Sequence, residues 1–108
     1  MKFSEIQKRA LEIHNKYSKL EQKNGRAWTR QDIVRGFVGD VGDLVKLTMA
    51  EDGIRDIDDS KNKLRHELAD CLWSIIVIAR QYEIDLEDSF LKTMDELEKK
   101  IDILKNTL

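Results

Sequence analysis

Apolar residues recur at steps of three and four through four separate stretches of this chain, and no stretch sustains an alternation of apolar with polar. Proline, which would interrupt such runs, is absent from all 108 residues. The two features together confine the chain to long helices. Phe3, Ile6, Ala10, Ile13, Tyr17 and Leu20 form the first apolar stripe. Ser4 with Gln7 predicts a capping box at its start, and Gln22-Lys23-Asn24-Gly25 predicts its stop. The second helix starts near Thr29, with Asp32 completing a capping box. Its seam is Ile33, Phe37, Val41, Leu44 and Thr48, widened almost around the helix by Val34, Val38 and Val45.

Glu51-Asp52-Gly53 begins an acidic loop running through Asp58-Asp59-Ser60, where a cap for the third helix is expected. Leu64, Leu68, Cys71, Leu72, Ile75, Ile76 and Ala79 lie on one side of it, Trp73, Val77 and Ile78 on the other. Ile75 to Ile78 alone would suit a buried strand, but the periodic flanks decide for helix. Asp85 and Asp88 cap the fourth helix, whose Leu86, Phe90, Met94, Leu97, Ile101, Leu104 and Leu108 keep a seven-residue rhythm. The expectation is an all-α, four-helix bundle-like domain spanning residues 1–108. The second and third helices have too little polar face for a lone bundle, so a dimer or higher oligomer is expected.

Nineteen basic against twenty-one acidic residues give a net charge of −2, which argues against a partner that is a nucleic-acid polymer. The apolar run Cys71 to Ala79 is too short to cross a membrane, and the charged N-terminal residues do not read as a signal peptide. A single cysteine makes no internal disulfide, which suits a cytoplasmic location.

Two motifs carry chemistry: Asp40-Val-Gly-Asp43 and Glu67-Leu-Ala-Asp70. Acids three apart share a helix face, and five such pairs occur in the chain, so spacing alone means little. Asp56 with Asp59, Asp85 with Asp88, and Asp95 with Glu98 fall in a loop, a cap and a solvated face. The other two pairs sit inside the most apolar helices, where an uncompensated carboxylate is costly. A divalent cation would neutralise them. An all-oxygen donor set without a cysteine–histidine cluster suits Mg²⁺ or Mn²⁺ rather than zinc. Structural pairing with Arg35, Lys46, Lys63 or Arg65 would serve equally well.

Neither His14 nor His66 follows a glutamate by three residues, which disfavours a di-iron bundle. His66 reads as a surface residue and Cys71 as core. Gly36, Gly39 and Gly42 line one face of the second helix, either for close helix packing or as clearance beside a ligand.

The combination of these two acidic pairs, twenty-three residues apart, with the continuation Cys71-Leu72-Trp73 and the segment Tyr82 to Leu91, resembles the MazG-like, all-α nucleotide pyrophosphohydrolases. That resemblance implies Mg²⁺-dependent hydrolysis of a nucleoside triphosphate to a monophosphate and pyrophosphate, with a role in nucleotide-pool house-cleaning. It also implies a homodimer or homotetramer. By motif position Asp40, Asp43, Glu67 and Asp70 stand for the metal-binding and catalytic carboxylates. Trp28 and Trp73 are then candidates to stack on the nucleobase. Arg30, Lys46 and Lys92 are candidates for the phosphates, with Arg26 and Lys63 beside them.

The chain also departs from the family pattern. Gly39 stands where a glutamate is usual, and Asp40 and Asp43 are each one methylene shorter than the usual glutamates. Thr93 and Leu97 stand where relatives carry a lysine and an asparagine. These departures motivate the alternative of a catalytically weakened or inactive helical interaction module.

Overall fold

A computed structural model describes residues 1–107; Leu108, the last apolar position of the fourth stripe, lies outside the described residues. Four helices follow in order: α1 Phe3–Lys23, α2 Arg30–Glu51, α3 Ser60–Gln81 and α4 Leu86–Thr107. The described residues contain no strand, so the all-α reading holds, including at Ile75 to Ile78 inside α3.

The ends of the helices follow local chemistry. Thr29 caps α2, accepting from the Asp32 N–H at 3.1 Å while Asp32 Oδ2 accepts from the Thr29 N–H at 2.9 Å. Asp85 caps α4 by accepting from the Asp88 N–H at 3.1 Å. The α1 capping box does not form. Phe3 already joins the helix, leaving Lys2 at the cap and Ser4 inside. At α3 the cap is Asp59, in the left-handed region at φ 54°, and its side chain accepts from Asn62 instead of from the helix backbone. The Ser60 hydroxyl is occupied elsewhere, donating to Glu51 at 2.9 Å.

Three helices terminate in one geometry. Arg26 N–H reaches Glu21 O at 2.8 Å, Ile54 N–H reaches Met49 O at 2.8 Å, and Ile84 N–H reaches Ala79 O at 2.9 Å. Each closes a Schellman turn around a residue at positive φ: Gly25 (71°), Gly53 (75°) and Glu83 (56°). The first two are glycines, as that conformation favours; Glu83 adopts it at a steric cost.

Packing centres on α3. α2 lies along it as a helical hairpin, and α1 packs against it over a shorter stretch. The buried apolar residues are Leu47 of α2 and Cys71, Ile76, Val77 and Ala79 of α3. The Trp73 indole N–H donates to Ala10 O at 3.0 Å and its ring lies 5.8 Å from Tyr17, which ties α1 down.

α4 packs along none of the other three helices. The chain is therefore open, with a radius of gyration of 17.6 Å against about 13 Å for a compact chain of this length. The apolar seam of α4, including Phe90, Met94, Leu97 and Ile101, faces solvent, as do Val38 and Val45 of α2 and Leu68 and Leu72 of α3. No described helix is long and apolar enough to cross a membrane.

Candidate functional site

The helical hairpin brings the two acidic motifs together halfway along its length. Asp40 and Asp43 lie one turn apart on α2, and Glu67 meets them from α3. One carboxylate oxygen from each of the three falls within 4.8 Å of the others. Asp40 and Glu67 are half-buried and Asp43 is exposed. Glu67 Oε1 is shielded from solvent and has no hydrogen-bond partner among the described residues.

The electrostatics follow from that crowding. Desolvation, and then the charges of Asp40, Asp43 and Asp70, hold the Glu67 carboxyl above its ordinary value. Desolvation, then Asp70 and Asp43, likewise raise Asp40, with the Ser74 hydroxyl pulling the other way. Asp70 stands close enough to contribute to both shifts but outside the trio, on the rim of a groove between α1 and α3.

Among the described residues, Arg35, Lys46, Lys63 and Arg65, the basic residues expected as structural partners, do not pair with these acids. The ion pairs among the described residues are Arg9–Glu12, Lys61–Glu51 and Lys92–Asp88. Arg65 donates to Asn62 at 2.6 Å instead. Three crowded carboxylates, one with an orphaned buried oxygen and none with an ion-pair partner, form a group that can hold a metal ion. All its donors are oxygens, as hard divalent cations require. Cys71 is buried beside them, and desolvation raises its thiol pKa, which suits core packing and not nucleophilic chemistry.

Two hollows flank the acids at opposite ends of the hairpin. The first, about 350 Å³, opens on Asp40 and is walled by Trp28, Phe37, Trp73 and Tyr17, with His14 and Glu21 at its α1 side. Trp28 is 55% exposed and lies over Gly36, where an added Cβ would meet the indole at 3.2 Å. Gly36 thus gives clearance to a side chain of the cavity wall. Gly39 and Gly42 have nothing within 4 Å, so close packing within this chain is not what they provide. Trp73 contributes a ring to the same wall, but one already anchored to Ala10.

The second hollow, about 330 Å³, is lined by Asp43 and Glu67 on its acidic side and by Lys46, Lys63 and His66. The remaining three sequence candidates lie apart, Arg26 beside Trp28 and Arg35. Arg30 sits over the Tyr82 ring at 4.7 Å and donates to Gln81 O at 3.4 Å. It is ten residues from Asp40, about 15 Å along a helix. Lys92 is on α4, paired with Asp88 at 3.0 Å.

Sequence reasoning missed Ser74, His14 and Glu21. Ser74 was detectable as the lone polar residue in the run Cys71 to Ala79, one turn beyond Asp70 on the acidic face. Nothing in the sequence of α1 ties His14 or Glu21 to an acid site two helices away.

A family model described as the MazG nucleotide pyrophosphohydrolase domain matches residues 32–102. Searches of curated proteins and of solved structures found no match. The matched span holds both acidic motifs and all of α3 but leaves out α1 and Trp28, which wall the aromatic cavity.

Proposed function

The chain belongs to the MazG nucleotide pyrophosphohydrolase domain family, and on that premise we propose that it hydrolyses a nucleoside triphosphate to its monophosphate and pyrophosphate in a Mg²⁺-dependent reaction. The observation that carries this reading is the unpaired carboxylate trio with the orphaned Glu67 Oε1. Asp40, Asp43 and Glu67 hold the cation, and Asp70 adds negative charge beside them. When bound, Mg²⁺ supplies charge neutralisation and polarisation at the phosphate oxygens. Manganese satisfies the same donors.

Phosphoanhydride hydrolysis asks a protein mainly to position its substrate and stabilise charge, which suits a site built of carboxylates on rigid helices. The aromatic cavity beside Asp40 takes the nucleobase, with the exposed Trp28 face available for stacking and Trp73 as fixed wall. A carboxylate of the cluster accepts the proton of the water that attacks the α-phosphorus. Asp40, one methylene shorter than the usual glutamate, lies both on the cavity edge and within the acid trio.

The working unit is a homo-oligomer, a dimer or tetramer, in which the bare seam of α4 and the exposed apolar faces of α2 and α3 are covered by other copies. The free, buried Cys71 fits a reducing, cytoplasmic setting.

The test is a panel of canonical and modified nucleoside triphosphates, including phosphoribosyl-ATP, incubated with purified protein and Mg²⁺. Pyrophosphate release that disappears in Asp40→Asn supports the enzyme. Silence across the panel, with no Mg²⁺-dependent thermal stabilisation, would make the chain an inactive helical interaction module.

A further inference from the structure

The two hollows differ in chemistry, and the difference orients a ligand. The Trp28 hollow is aromatic and is lined by no lysine or arginine, while the hollow at the other end of the acid trio carries Lys46, Lys63 and His66. The geometry points to the Lys46–Lys63–His66 recess as a binding site for pyrophosphate, as the β- and γ-phosphates of the substrate and then as the leaving group. This rests on the hydrolase reading above.

Three observations carry it. First, the recess is continuous with the trio, since Asp43 and Glu67 belong to both, so a phosphate chain leaving the acids enters it directly. Second, neither lysine is ion-paired among the described residues, and each helix of the hairpin supplies one, placing the cations on both walls. Third, the span fits. From Gly36 under Trp28 to Lys46 is ten residues of α2, about 15 Å, with Asp40 and Asp43 between. A nucleotide laid along the hairpin puts its base on Trp28, its α-phosphorus at the acids and its terminal phosphates between the lysines. In the reaction, water oxygen bonds to the α-phosphorus and the bond from that phosphorus to the bridging oxygen breaks. The electron pair stays on pyrophosphate, where Lys46 and Lys63 offset the charge. A competing cationic spot, formed by Arg26 and Arg35 with Asp32, adjoins the aromatic hollow through Trp28 and Gly36. It shares no residue with the trio, so phosphates held there would lie away from the acids.

Calorimetric binding of pyrophosphate and, separately, of nucleoside monophosphates, each with Mg²⁺, tests this in the wild type and in Lys46→Gln, Lys63→Gln, their double variant, Arg35→Gln and Trp28→Ala. Both lysines are exposed, so their removal leaves the packing intact. The double variant should weaken pyrophosphate binding by about tenfold or more, as expected for lost charge-assisted contacts, with monophosphate affinity changed less than about twofold. Trp28→Ala should do the reverse. Pyrophosphate binding untouched in the double variant, or lost in Arg35→Gln instead, overturns the assignment. Pyrophosphate binding that depends on the lysines in a protein that releases none from any triphosphate would sustain the recess while refuting the hydrolase.

Discussion

Replacing Glu67 by glutamine removes one charge from a cluster that has no ion-pair partner among the described residues. The oxygens of the trio lie within 4.8 Å of one another. Each like-charge pair at that separation costs about 1 kcal/mol if fully water-screened and about 3.5 kcal/mol at an effective dielectric constant of 20. Asp43 is exposed, so the lower end applies, and relief from both neighbours amounts to about 1–2 kcal/mol. In a chain of this size each 1 kcal/mol moves Tm by about 4–8 °C. Differential scanning calorimetry with chelator present should therefore show Glu67→Gln melting higher than wild type at neutral pH. Added Mg²⁺ should reverse the order. A hundredfold excess over Kd stabilises the wild type by about 2.7 kcal/mol and the variant far less. A metal-free variant that melts lower than wild type, or two proteins equally indifferent to Mg²⁺, would refute the picture of an uncompensated acid cluster.

The raised carboxyls of Asp40 and Glu67 bind protons more tightly in the folded than in the unfolded chain, so their contribution is stabilising below the ordinary values of 3.8 and 4.5 and is lost as pH rises through the folded pKa values. Urea midpoints without metal, followed from about pH 4 to about pH 7, should thus fall more steeply in wild type than in Glu67→Gln. Glu83→Gly, at φ 56°, relieves left-handed strain and should raise stability by about 1 kcal/mol in denaturant titrations. Leu97→Lys with Ile101→Lys, on the bare seam of α4, should reduce the light-scattering mass toward the 12.7 kDa of one chain; an unchanged mass places the subunit contact elsewhere.

The helices were readable because each carries a period longer than its local irregularities, and the Thr29 and Asp85 caps because their partners lie three residues away. The cap predicted at Ser4 does not form for a reason of the same scale: α1 begins at Phe3, which moves the cap to Lys2. The stop of α3 was unreadable because Glu83 holds a position where glycine would have announced it. The acidic pairs stood out by their apolar setting, but their meeting needed the hairpin. Asp70, three residues beyond Glu67, lends its charge to Asp40 and Glu67 while also lining the groove toward α1, a double position that spacing alone does not reveal. Trp28 over Gly36 is a contact across a helix start, and the α1 contribution to the cavity depends on the Trp73 anchor to Ala10. Neither leaves a local trace. The placement of α4 was equally hidden, since its apolar rhythm requires a partner without saying whether that partner is in the same chain.

Hydrolysis of a nucleoside triphosphate in oxygen-18 water, with Mg²⁺ and analysis of both products, tests the central claim most directly. If the trio directs water to the α-phosphorus, the label enters the nucleoside monophosphate and pyrophosphate emerges unlabelled. Label in pyrophosphate or in inorganic phosphate would contradict it, as would turnover that persists when Asp40, Asp43 and Glu67 are all converted to their amides.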